Sequence, residues 1–82
     1  MSRQHTTREA ITDGVITAKV RAALAEDPIT ASYDIYVETM AGIVELTGFV
    51  DTTSVSVEAI VVAKRVHGVL QVQDSLDLRC FG

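Results

Sequence analysis

At 82 residues and 48% hydrophobic, the chain is long enough for one small domain and too apolar for disorder. Two Tyr, two Phe and no Trp leave an aliphatic core of Val, Ile, Leu and Ala. The net charge of −4 argues against nucleic acid, which calls for a basic surface, and no apolar run approaches the ~20 residues of a membrane span.

Residues 1–11 are polar and read as a flexible lead-in. They contain no apolar h-region, so no signal peptide is read in this chain. Thr12 or Asp13 can cap the first helix, expected from Asp13 to Ala25. Ile16, Val20, Ala23 and Leu24 share one face of it. Asp27-Pro28 stops it, because the residue before proline is pushed out of the helical region. Residues 29–32 read as a loop.

Alternation then predicts a first strand from Tyr33 to Met40 and a second from Ile43 to Val50. Ala41-Gly42 is a tight hairpin turn between them, with Gly supplying positive φ. Val44, Leu46 and Val50 form the buried parity of the second strand, and Gly48 marks a bend or close packing. The residues Asp51 to Ser54 are four consecutive capping types, placing a helix from about Thr53 to Val66. Gly68 is expected at the left-handed position that closes this helix. Val69 to Leu78 is the third strand, and residues 80–82 are a tail.

The second helix has two apolar faces. Val55, Ala59, Val62, Ala63 and Val66 make one, and Val57, Ile60 and Val61, joined by Lys64, make the other. A surface helix is normally polar on its far side. Val57, Ile60 and Val61, with Lys64 and Arg65, are therefore expected to stand toward solvent as a docking stripe. It suits a phospholipid surface, with the two cations meeting anionic headgroups. It suits a protein partner or a weak homodimer better still, and the plainer reading is a face covered by the N-terminal arm or a dimer mate, or simply tolerated in solvent. A second surface is the open face of the sheet, where Tyr36, Ile43 and Phe49 sit with Glu45 and Thr47. Scattered surface hydrophobes need no function and are the plainer reading there.

The order of elements and the residues that mark it resemble the BON domain. Asp13, Ile16, Val20 and Leu24 match its first helix, and Ile35 and Val37 its first strand. Gly42, Val44, Leu46, Gly48 and Val50 match its G-x-V-x-L-x-G-x-V string. Ala59, Val62, Ala63, Val66, Gly68 and Val69 match A-x-x-[IV]-A-x-x-V-x-G-V, and Val72, Asp74, Leu76 and Leu78 the closing string, with Asp for the usual Asn. The resemblance covers residues 12–79. It implies an α+β two-layer sandwich, two helices on one face of a three-stranded mixed sheet, in the order α-β-β-α-β. It also implies a non-enzymatic module, proposed to bind phospholipid in envelope or osmotic stress, and a periplasmic setting. The residues themselves leave the cytoplasm open, because Cys80 is the only cysteine and forms no internal disulfide.

Catalytic, cofactor and metal chemistry find no footing. His5 and His67 are the only histidines, and neither they nor Cys80 have the spacing of a dyad or of a zinc site. Asp34, Glu38 and Glu45 could meet across the hairpin, as a solvated acidic face or a weak cation site. Gly42 and Gly48 punctuate strands and do not form a phosphate loop.

Overall fold

The computed structural model describes residues 12–79. Helix α1 spans Asp13–Glu26, β1 Ile35–Met40, β2 Ile43–Val50, α2 Thr53–Lys64 and β3 Gln71–Leu78. The order is the expected α-β-β-α-β, and the fold is α+β.

Thr12 is the cap of α1: its side-chain oxygen accepts from the Val15 amide. Ile16, Val20 and Leu24, one turn apart, are all buried. The helix ends at Asp27, one residue before Pro28. Of the four capping types ahead of α2, Thr52 does the work, accepting from Val55.

The sheet has the order β1-β2-β3. Strand β2 runs antiparallel to β1 and parallel to β3, so the sheet is mixed. The β1–β2 turn is a two-residue turn with positive φ at both Ala41 (52°) and Gly42 (82°), the combination that suits the strands' twist. The parallel pairing needs a crossover, and α2 supplies it.

Both helices pack on one side of the sheet. The core joins Ile16, Val20 and Leu24 of α1 to Val44 and Leu46 of β2 and Ala59, Val62 and Ala63 of α2. It contains no aromatic side chain, as the composition demands. The other side of the sheet carries the opposite parity: Tyr36, Glu38 and Met40 on β1, Ile43, Glu45, Thr47 and Phe49 on β2, and Gln71, Gln73, Ser75 and Asp77 on β3.

Several boundaries differ from the sequence expectation. Strand β1 starts at Ile35, because Tyr33 closes a turn onto the Thr30 carbonyl. Helix α2 ends at Lys64, with Arg65 as its cap. Gly68 (φ 100°) therefore does not close the helix. It sits in the following turn, where the Val69 amide donates to the Val66 carbonyl, and it redirects the chain into β3 at Gln71.

Candidate functional site

The outer face of α2 is less apolar than the sequence suggested. Val57 is 53% exposed, and Lys64 and Arg65 are exposed beyond it. Ile60 and Val61 are half-buried, and Ile60 packs against the core. The expectation that all three apolar residues stand in solvent is corrected accordingly. The cause is geometric: α2 packs both on β3 and against α1, so its buried arc is wider than that of a helix resting on a single surface. What remains outside is Val57, the rims of Ile60 and Val61, and two cations at the helix end.

The open sheet face carries more exposed large apolar side chains. Tyr36 is 67% exposed, Met40 77% and Phe49 52%, with Ile43 half-buried between them. The Arg79 guanidinium lies 4.1 Å from the centre of the Phe49 ring, so Phe49 is partly covered by a cation. Glu38 and Glu45 are direct cross-strand partners. The Ser75 hydroxyl donates to Glu45 at 3.0 Å. Asp34 falls just outside β1 and does not complete an acidic triad. Among the described residues, no group of three or more His, Cys, Asp or Glu is placed to hold a metal ion. His67 is exposed in the turn after α2, while His5 and Cys80 lie outside the described residues.

Three polar arrangements that the sequence did not announce position these surfaces. The Asp13 carboxylate reaches the hairpin turn, accepting from the Ala41 amide at 2.9 Å and the Gly42 amide at 3.1 Å. It thereby ties the start of α1 to the end of β1. Thr30 is 1% exposed, and its hydroxyl donates to the Leu24 carbonyl at 2.7 Å, satisfying one of the free carbonyls at the end of α1. Asp27 accepts from the Ile29 and Thr30 amides, which rigidifies the loop after α1.

Asp27 also shares a hydrogen bond with Glu58 of α2. Partial desolvation works to raise the Asp27 carboxyl, but the bonds from Glu58, Thr30 and Ile29 outweigh it and hold it below its ordinary value. The same bond to Asp27, with desolvation and the Asp27 charge, pushes Glu58 up, against a smaller opposing pull from Arg65. Where the pair holds one proton, Glu58 rather than Asp27 carries it. Tyr33 is raised by desolvation and by its bond to Asp51, whose carboxylate accepts from the Tyr33 hydroxyl at 3.2 Å. These groups bond one another at the seams between elements.

Such a molecule is a small α+β sandwich with apolar side chains exposed on one helix and on the open face of its sheet. The chain belongs to the BON domain family, whose model matches residues 12–80. Among curated proteins, it is 46% identical over 67 residues to "Osmotically-inducible protein Y" of Escherichia coli (strain K12). That match takes in 82% of this chain and 33% of the relative, so the chain spans about a third of the length of that protein.

Proposed function

We propose that the chain is a non-enzymatic binding module of the osmotic stress response, attaching to phospholipid at the periplasmic face of the envelope through the outer face of α2. The observation that carries the reading is the conjunction on one helix face of exposed Val57, the rims of Ile60 and Val61, and exposed Lys64 and Arg65. The likeness to a protein named for osmotic induction supports the physiological setting.

The magnitudes suit a weak, reversible contact. A fully buried valine-sized side chain contributes ~1.5–3 kcal/mol, and these three are already part covered. Each cation adds about 1 kcal/mol near an anionic leaflet. The net charge of −4 works against approach, but at a Debye length of ~8 Å the distant carboxylates are screened, leaving Lys64 and Arg65 at the contact with Glu58 beside Arg65.

Vesicles containing phosphatidylglycerol should carry the protein down on centrifugation, and vesicles of phosphatidylcholine alone should carry less. Val57→Asp, which places a charge at the centre of the contact without disturbing the core, should leave the protein in the supernatant. Lys64→Glu with Arg65→Glu should do the same. If the unaltered chain does not sediment with anionic vesicles, the reading fails. The alternative reading, a protein interaction or self-association module with no lipid role, is favoured by the exposure of Tyr36, Met40 and Phe49 on the opposite side of the sheet.

A further inference from the structure

We propose that the outer edge of β1 takes up an extended, basic segment of another protein as a fourth strand. Strand β1 is an edge of the sheet. In a two-residue hairpin the first pair, here Met40 and Ile43, exchanges both hydrogen bonds. Every second residue back from it, Glu38 and Tyr36, also points its backbone groups at β2. Ile35, Val37 and Thr39 therefore turn theirs outward. Among the described residues, no backbone hydrogen bond outside the sheet engages these three. An edge left in this state is a template for another strand.

The surface beside the edge is concave along its length. A hollow of about 680 Å³ wraps the edge, with Thr17 of α1, Val37 and Thr39 on one side and Glu38, Met40 and Glu45 of the open sheet face on the other. A second hollow of about 340 Å³ continues past Ile35 and Val37, with Arg21 of α1 on one side and Asp34 and Glu38 also lining it. The strand edge thus runs between two side chains of α1, Thr17 and Arg21, and the open face of the sheet.

Charge selects the occupant. On the open face, side chains of an added strand would stand beside Tyr36, Glu38 and Met40. Glu38 is directly opposite Glu45, and like charges so placed repel. A lysine or arginine beside Glu38 relieves that repulsion. Apolar side chains two positions away on either side cover Met40 and Tyr36, the most exposed large residues of the strand. The segment recognised is apolar-x-basic-x-apolar. A second copy of this chain fits worse, because edge-to-edge pairing would gather Glu38 and Glu45 from both copies. The edge and the open face lie away from the exposed side of α2, so this inference and the lipid reading stand or fall separately.

The test uses the full chain and two capped peptides, Val-Thr-Lys-Thr-Leu and Val-Thr-Glu-Thr-Leu. The lysine peptide should bind at least about tenfold more tightly than the glutamate peptide, and at saturation the Val37 and Thr39 amides should exchange at least about tenfold more slowly. Glu38→Lys, at an exposed position where the fold is retained by circular dichroism, should invert the peptide preference and leave vesicle binding unchanged. The proposal is overturned if the lysine peptide does not bind at millimolar concentration. Equal affinity for both peptides, binding without protection of Val37 and Thr39, or a homodimer that already protects these amides would each overturn it too.

Discussion

Gly48 is the position where one atom decides most. Its φ is 136°, which L side chains rarely adopt, and a Cβ built there lies 2.6 Å from the Asp34 carbonyl oxygen. That oxygen belongs to the backbone and cannot swing aside. Gly48 lies opposite Ile35, the first residue of β1, so the strain would fall where the sheet begins. Gly48→Ala should cost about 2–4 kcal/mol, lowering the melting temperature by about 10 °C or more in differential scanning calorimetry. Gly42 also has a left-handed φ, 82°, but its steric demand is milder: a Cβ there would lie 2.9 Å from the Leu70 side chain, which can shift, and 3.5 Å from the Gly68 carbonyl oxygen. The sequence marked Gly48 as a bend or close packing, and a glycine inside an alternating strand is a visible signal. Nothing in the sequence marked the reach of Asp13 to the hairpin turn. That contact joins residues far apart in the chain, and a side chain beside a helix start already has a local explanation as a cap.

Among the elements, α1 owes its clean ending to Thr30. The helix leaves its last carbonyls unpaired, and the buried Thr30 hydroxyl takes the one at Leu24. Thr30→Val keeps the volume and removes the donor. It should cost about 1–3 kcal/mol, read as a lower urea midpoint with an unchanged slope. An altered slope would mean that the loop, or the unfolded state, had changed instead. Thr30 was read only as part of a loop, because a single buried hydroxyl has no periodicity to betray it. The helix faces were legible for the opposite reason: Ile16, Val20 and Leu24 repeat at the helical spacing, and all are buried. The reading of α2 was right for Val55, Ala59, Val62 and Ala63 and too generous for its far side. A helical wheel shows how apolar residues are distributed but not how many neighbours the helix has, and α2 has both a sheet and a helix beside it.

At the scale of the whole molecule, the Asp27–Glu58 pair ties stability to pH. Glu58 is raised above its ordinary 4.5, so its contribution is full below that value and is lost as pH climbs through the raised value. Asp27 is lowered, so its contribution is present above its ordinary 3.8 and is lost as pH falls through the lowered value. The two contributions overlap in mildly acidic solution, and stability should decline from there toward neutrality. Glu58→Gln keeps a donor for Asp27 and cannot ionise. It should match the unaltered chain in mild acid and exceed it in melting temperature at neutral pH. A constant difference between the two proteins across that range would show that the pair carries no such dependence.

The fold as a whole was legible because hydrophobic spacing, capping residues and turn glycines agreed from one end of the domain to the other. The surfaces were less so. Exposure depends on which neighbours arrive, and the cross-strand meeting of Glu38 with Glu45 depends on a register that alternation suggests but the turn determines.

The parallel pairing of β2 with β3 has a consequence during synthesis. The hairpin can close soon after Val50 leaves the ribosome, since both its strands and their turn are then available. The far side of β2 stays bare until the residues through Leu78 have followed, because its neighbour is the last element to be made. During that interval the nascent chain offers a second unprotected edge at the middle of its future sheet, a template open to pairing with another chain.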